Sequence, residues 1–496
     1  MTCTLADNLA AADTVVTRVD AFIDGRFMPA ASGRRFEATT PRNGNLIAEV
    51  AACGAADVDT AVRAARTAFT DGRWAHQHPR RRRLVLQRLA RLVEAHNHEL
   101  ALLESLDMGK PVSDAVSVDM RVVMQSFDFF AEAIDKRYDE VGPSDPTVVS
   151  MITREPVGVV GAIVPWNFPL MLAAWKLAPA LAMGNSVVLK PAEQSTLTAL
   201  RFAELAAEAG LPDGVLNVVP GFGETAGAAL ARHDDVDLVC FTGSGTVGRQ
   251  LLRDSADSNI KQIALELGGK SPQLVMPDAP DTDQVADGVS GGIFFNQGQI
   301  CSAGSRLIVH RSRHDELLDA IVRRAEKMVP ADPLDPHTEL GAMVSEHHLG
   351  SVLAHIDAAA AAGATVVTGG HRVDVLPGGS YMQPTVITGV APESTVAQEE
   401  IFGPVLVVLP FDTVDEAVRM ANGTRYGLAA SVWTTDLSTA HTVSRGIRAG
   451  TVFVNCYDAA DVSVPFGGYG QSGFGRDKSL HALDKYSQLK TTWIQL

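Results

Sequence analysis

One of the five cysteines stands apart by its surroundings. Cys301 lies in Asn296-Gln297-Gly298-Gln299-Ile300-Cys301-Ser302-Ala303-Gly304, among small and polar residues, whereas Cys240 lies within an apolar run. Thiolate chemistry needs an accessible sulfur of lowered pKa, and flanking glycines let a reactant approach closely. Composition alone leaves two readings of Cys301 open, a nucleophile and an ordinary loop cysteine. A G-x-G-x-x-G at Gly243, Gly245 and Gly248 follows the apolar run 236–241 and opens a helical stretch, the context in which glycines cradle a dinucleotide pyrophosphate. That fingerprint wants an acid about 20 residues on, and Glu266 answers it. A competing acid is Glu193, in Lys190-Pro191-Ala192-Glu193 at the end of a strand-like run. A lysine and an acid there can grip ribose hydroxyls, and the acid repels a 2′-phosphate, favouring NAD over NADP. If Glu193 holds the ribose, Glu266 is free for another task. Pro165-Trp166-Asn167-Phe168-Pro169 is a rigid turn. The Asn167 amide there serves either a developing oxyanion or the turn's own backbone.

The elements that must position these residues alternate. Over 157–254, strand-like runs at 157–164, 186–190, 215–219 and 236–241 alternate with helix-like runs at 170–183, 195–209 and 224–232. Ser195 reads as an N-cap and Gly210 as a helix stop. This spacing implies right-handed crossovers and a doubly wound parallel sheet. A second α/β alternation begins near residue 271, with helices at 283–296, 313–328, 346–362, 414–421 and 437–446. Its strands are expected at 306–309, 365–367, 405–409, 430–434 and 451–454. The polar segment 142–147 and the strand-like tail 485–494 fall outside both units, so strands there would present unpaired edges to a partner chain.

Composition excludes several classes. The 496 residues suffice for two or three domains, and 46% hydrophobic with 20% charged residues describes a globular chain. A net charge of −16 repels phosphate backbones, so nucleic acid is not an expected partner. The scattered cysteines form no C-x-x-C pair, and the histidines fit no metal pattern, so no metal is expected. Asp7 and Asp13 precede the first basic residue, Arg18, the wrong charge order for a targeting peptide, and a cytoplasmic protein is expected. The longest uncharged stretch, 156–175, contains Pro165, Asn167 and Pro169 and reads as strand, turn and helix rather than a membrane span.

Taken in order, the motifs resemble the aldehyde dehydrogenase superfamily from about residue 20 to the C-terminus. They are Pro165-Trp166-Asn167-Phe168-Pro169, Lys190-Pro191-Ala192-Glu193, Phe241-Thr242-Gly243-Ser244, Leu265-Glu266-Leu267-Gly268-Gly269-Lys270, Gln297-Gly298-Gln299-Ile300-Cys301, Glu399-Glu400-Ile401-Phe402-Gly403-Pro404 and Pro465-Phe466-Gly467-Gly468. The resemblance implies an α/β fold with a Rossmann-type NAD-binding domain (1–135 and 154–265), a second α/β catalytic domain (266–470) and a small β oligomerisation arm (136–153 and 484–496). It implies Cys301 as nucleophile, Glu266 as general base and Asn167 as oxyanion donor, which displaces Glu266 from the ribose. Lys190 and Glu193 then hold the ribose, Gly243 and Ser244 lie along the pyrophosphate, and Glu400 with Phe402 positions the nicotinamide end. Ile163, Trp166, Gly223 and Val247 complete the implied cofactor site. The family's coenzyme A-acylating branch generally lacks the acid at 266, so Glu266 argues for hydrolysis.

The chain is more similar still to the branch acting on γ-glutamyl-γ-aminobutyraldehyde and related aminoaldehydes, enzymes of polyamine catabolism. Gly475-Arg476-Asp477-Lys478-Ser479-Leu480-His481-Ala482-Leu483, Lys490-Thr491-Thr492-Trp493-Ile494 and Glu132-Ala133-Ile134-Asp135-Lys136 carry that likeness. It implies Phe168, Trp175, Phe295 and Phe466 as tunnel walls, Asp458 as a further substrate-side residue, and Asp119 or Asp461 as receptor for a substrate ammonium. The implied assembly is a homodimer or homotetramer acting on a small-molecule aldehyde. Departures fall in the tunnel segment: Gly470 replaces a usual lysine, and Cys456, Asp458, Ala459 and Ala460 differ from the branch's pattern. The alternatives are a broad-specificity aldehyde dehydrogenase, a reductase using Glu266 for ribose and a non-catalytic protein on the same fold.

Overall fold

The computed structural model describes residues 4–459 and 461–496; Ala460 lies outside the described residues. Two large sheets organise the chain. The first is built on five parallel strands ordered Gln262–Leu267, Leu238–Gly243, Val159–Ile163, Ser186–Lys190 and Leu216–Val218. Every residue of Val159–Ile163 and Ser186–Lys190 is buried, as expected of strands covered on both faces. The strand order reverses between Val159–Ile163 and Leu238–Gly243. A crevice therefore opens at the carboxyl ends of these two strands, where open α/β sheets bind ligands. Three short antiparallel strands, Ala21–Ile23, Arg26–Met28 and Gly473–Phe474, extend the sheet's edges.

The second sheet has the order Thr365–Thr368, Thr385–Thr388, Val405–Phe411, Arg306–His310, Pro272–Val275, Ala429–Trp433 and Thr451–Val454. All its pairings are parallel except the first. Helix Thr282–Phe294 leads from Pro272–Val275 towards Arg306–His310, and Cys301 sits in the loop between that helix and that strand. The expected helix at 437–446 and strand at 451–454 are observed with those limits.

Three expectations change. Thr196, not Ser195, is the residue before helix Leu197–Glu208, and the Asp107 carboxylate on another helix accepts the Leu197 N–H. The outlying strands do not wait unpaired. Ser487–Gln495 pairs antiparallel with Val148–Pro156 over nine residues, and Glu140–Gly142 adds a third strand. Val148–Pro156 also runs across the expected 153/154 limit, so the arm's sheet reaches Pro156. No helix among the described residues is long and apolar enough to cross a membrane.

Candidate active site

The crevice at the strand reversal holds about 660 Å³. Ile163, Trp166, Lys190, Glu193, Gly223, Gly243, Ser244 and Val247 all line it. Ser244 caps helix Gly245–Ala256, its hydroxyl accepting the Val247 N–H at 3.3 Å. The open N–H groups and positive dipole end of that helix favour a pyrophosphate. A Cβ on Gly248 would lie 3.0 Å from Leu267 Cδ2, so this glycine lets helix and strand pack closely. Lys190 Nζ donates to Glu193 Oε2 at 3.1 Å. Burial pulls Lys190 below its ordinary pKa, and Glu193 opposes that pull at the mouth of the crevice. These groups fit an adenosine ribose and a pyrophosphate.

A second cavity of about 250 Å³ continues inward and is lined by Asn167, Glu266, Gly268, His348, Glu400, Phe402 and Cys301. Glu400 accepts the Gly269 N–H at 3.0 Å. Burial raises Glu400 to about 7, opposed by that hydrogen bond and by Lys270 and Arg425. Phe402 is left-handed at φ 58°, and its carbonyl accepts His348 Nε2–H at 2.7 Å. The Trp166 ring meets Phe402 and His348 edge-on at 5.3 and 5.4 Å. Burial holds His348 below its ordinary pKa, so its neutral ring adds no positive charge to the cavity.

A third cavity, of about 150 Å³, opens on the other side of the cysteine. Phe168 and Phe295 stack 6.5 Å apart and Trp175 lies 5.2 Å from Phe466, forming apolar walls. Asp458 lines it too. Among the described residues, Cys301 alone lines both this cavity and the second one.

The loop before Cys301 is held under strain, with Asn296, Gln297 and Gly298 all left-handed. Asn296 Nδ2 donates to Asn167 O at 3.0 Å, and Asn167 Nδ2 donates to Gln299 O at 2.9 Å. Asn167 is thus fastened beside the cysteine, its second amide hydrogen available to an oxyanion. Burial raises the Cys301 thiol well above its ordinary pKa, and Glu400, Asp458 and Glu266 add to the effect. The Ser302 N–H opposes them by bonding the sulfur. Glu266 is 4% exposed and neither oxygen has a hydrogen-bond partner among the described residues. Burial, then Asp477, raises its pKa strongly, while Lys176, Lys485 and Arg476 lower it. Lys176 and Lys485 both donate to the buried Asp477 carboxylate. A carboxyl that gives up its proton reluctantly is also one that takes a proton readily.

Two expected substrate residues are elsewhere. Asp119 is fully buried and ion-paired to the equally buried Lys110, away from the cavity wall. A π-helical turn at Ala115–Asp119 precedes helix Met120–Ala133, and Val118, Arg121, Val122 and Gln125 face the cavity instead. Asp461 is exposed, accepts the Ser463 N–H at 2.8 Å and does not line the cavity. Gly470 sits at φ 58° and a Cβ there would lie 2.9 Å from Arg425 O, so a lysine would be strained in this loop. Sequence reasoning missed Arg121 and Lys478 on the cavity wall and His348 in the second cavity. Lys478 lies within a quoted motif, but nothing in the pattern marks its direction.

The aldehyde dehydrogenase family model matches residues 27–492. The NADP/NAD-dependent aldehyde dehydrogenase PuuC of Escherichia coli (strain K12) is 49% identical over 475 residues, 96% of this chain and 95% of PuuC. A solved γ-glutamyl-γ-aminobutyraldehyde dehydrogenase from Burkholderia cenocepacia J2315 is 54% identical with TM-score 0.97, covering 100% of both chains. A solved indole-3-acetaldehyde dehydrogenase complexed with NAD+ is 52% identical with TM-score 0.98, again over 100% of both chains.

Proposed function

This chain belongs to the aldehyde dehydrogenase family and is an NAD-dependent oxidoreductase acting on aldehydes, and from that premise we propose an aminoaldehyde as its substrate and a hydrolytic cysteine mechanism as its route. The observation that carries the mechanism is the position of Cys301 as the shared wall of the two inner cavities. An aldehyde entering from one side meets the sulfur directly beside the space reached from the crevice. Lys190 and Glu193 hold the ribose, the Gly243–Ser244 turn the pyrophosphate, and Glu400 and Phe402 the nicotinamide end; Ile163, Trp166, Gly223 and Val247 complete the contact. NAD, when bound, supplies the hydride acceptor.

Cys301 Sγ attacks the aldehyde carbon as thiolate, and the new oxyanion takes hydrogen bonds from the Asn167 amide and the Cys301 N–H. Loss of the hydride leaves a thioester on Cys301. Glu266 removes a proton from a water that adds to the thioester carbon, and expulsion of the Cys301 thiolate gives the carboxylic acid. The acid Glu266 faces the cysteine cavity and Glu193 the ribose crevice, which supports base rather than ribose duty for Glu266.

The aminoaldehyde reading rests on the likeness to the γ-glutamyl-γ-aminobutyraldehyde enzyme and on Asp458 in the tunnel wall, which takes the part expected of Asp119 or Asp461. Such a substrate places the enzyme in polyamine catabolism. Residues 1–135 with 154–265 form the cofactor domain, 266–470 the catalytic domain, and 136–153 with 484–496 the arm. The arm leaves Tyr138, Val141, Leu489 and Trp493 between 63% and 78% exposed, apolar surface that a homodimer or homotetramer would cover. Four free cysteines without a disulfide among the described residues suit the cytoplasm.

The test is NADH formation with 4-aminobutyraldehyde, its γ-glutamyl adduct and propanal. A kcat/KM preference of about tenfold or more for the amine-bearing aldehydes supports the substrate. A preference for propanal removes it and leaves a broad-specificity enzyme. Turnover that survives Cys301→Ala would remove the mechanism.

A further inference from the structure

The substrate cavity carries more positive than negative charge. Its wall holds one acid, Asp458, and two bases, Lys478 and Arg121. Lys478 and Asp458 are both left-handed, at φ 60° and 52°, so the backbone fixes their directions. Lys478 Nζ lies 5.3 Å from the Trp175 ring centroid and 5.9 Å from that of Phe466, which keeps the ammonium on the aromatic wall. The acid and this lysine feel one another: burial raises the Asp458 carboxyl and Lys478 lowers it. Arg121 is exposed on helix Met120–Ala133 and makes no hydrogen bond or ion pair to any described residue. Lys478 makes none either, but its ammonium is buried against the aromatic wall, which leaves Arg121 as the exposed cation of the cavity among the described residues.

A substrate whose far end is only an ammonium gains from Asp458, but Lys478 and Arg121 in the same wall offset part of that gain. A neutral aldehyde would use neither charge. A far end with both an ammonium and a carboxylate satisfies each group, the carboxylate taking the forked guanidinium and the ammonium joining Asp458. Resting on the aminoaldehyde reading, we infer that the tunnel selects aldehydes ending in a free amino-acid group, with Arg121 as carboxylate receptor and Asp458 as ammonium receptor.

The experiment compares γ-glutamyl-γ-aminobutyraldehyde with its α-carboxamide and with 4-aminobutyraldehyde, using the full chain and saturating NAD. The free acid is expected to exceed the amide by about tenfold in kcat/KM, mostly through KM, and to exceed 4-aminobutyraldehyde as well. Arg121→Gln brings the acid-to-amide ratio close to one. Arg121→Lys keeps an intermediate ratio, because it retains the charge but loses the fork. Raising salt from 0.05 to 0.5 M shrinks the wild-type ratio, as a solvent-facing pair requires. Equal rates for acid and amide, a ratio that survives Arg121→Gln, or faster turnover of 4-aminobutyraldehyde would each overturn the inference. In all three cases amine-bearing aldehydes still outpace propanal; loss of that preference instead removes the aminoaldehyde reading itself.

Discussion

Glu104 and Asp107, one turn apart on the buried helix Asn97–Met108, each accept the leading N–H of a different helix. Glu104 takes Leu170 N–H at 2.8 Å and Asp107 takes Leu197 N–H at 3.0 Å. Helices Pro169–Ala182 and Leu197–Glu208 follow directly on the turns that carry Asn167 and Glu193. One helix therefore ties the Asn167 turn to the Glu193 turn. Both carboxyls are pushed up by burial, and a neutral carboxyl still accepts through its carbonyl oxygen.

Removing the two acceptors should have separable effects. Glu104→Ala leaves a buried N–H beside the Asn167 turn, costing about 1–2 kcal/mol of stability, and is expected to lower kcat with little change in KM for NAD. Asp107→Ala is expected to raise KM for NAD and spare kcat at saturating NAD. Thermal melting and steady-state kinetics of both variants check the division, and identical kinetic defects would show that the turns do not move independently.

The pH profile should lean to the alkaline side. On the proposed mechanism Cys301 reacts as thiolate and Glu266 accepts a proton as carboxylate, and burial holds both above their ordinary values. A raised pKa on a group needed deprotonated means that rate increases as pH rises through it. Alkylation of Cys301 by iodoacetamide should rise steadily from pH 6 to pH 9. Glu266→Gln should keep a first-turnover burst of NADH and slow the steady state by at least about 100-fold, as expected for loss of a general base. A flat alkylation profile would mean that some other group already offsets burial.

Cofactor choice should pass through Glu193. Its carboxylate lines the crevice, held by Lys190 at 3.1 Å, where the proposed function puts the ribose. Glu193→Ser removes the charge that opposes a 2′-phosphate and frees Lys190 to meet it. The NADP-to-NAD ratio of kcat/KM is expected to rise about tenfold, roughly 1.4 kcal/mol, through better NADP as well as poorer NAD. An unchanged ratio would place the 2′-hydroxyl away from residue 193.

What the sequence made legible follows how strongly each part is patterned. The buried parallel strand Ser186–Lys190 was found with its limits, whereas the runs read at 157–164 and 236–241 prove to be Val159–Ile163 and Leu238–Gly243. The edge strands Ala21–Ile23 and Gly473–Phe474 are two or three residues long, too short to show a period. Cys301, Glu266 and Asn167 sit in ordered motifs, and the structure brings all three to one cavity. Asp119 was misplaced because its direction depends on the π-helical turn Ala115–Asp119, which departs from the ordinary helical period. Lys478 was overlooked because its direction comes from a left-handed backbone at a non-glycine residue.

Gly268 offers the sharpest test of the nicotinamide side. A Cβ there would lie 1.8 Å from Glu400 Oε2 and 2.3 Å from Glu400 Cδ, so the Glu400 carboxyl occupies the space a side chain would need. Glu400 is anchored in that position by the Gly269 N–H at 3.0 Å. Gly268→Ala must push the carboxyl away and break that hydrogen bond. KM for NAD is expected to rise by about tenfold or more and kcat to fall with it, because displaced Glu400 no longer sets the ring against Cys301. Because Glu400 also raises the Cys301 thiol, its displacement is expected to quicken Cys301 alkylation without cofactor, whereas a damaged cysteine loop would slow it. Glu400→Ala in the Gly268→Ala background should recover part of the lost NAD affinity by relieving the overlap, giving a double-mutant coupling of opposite sign to the single losses. If instead the two losses simply add, Glu400 is not what the methyl group strikes.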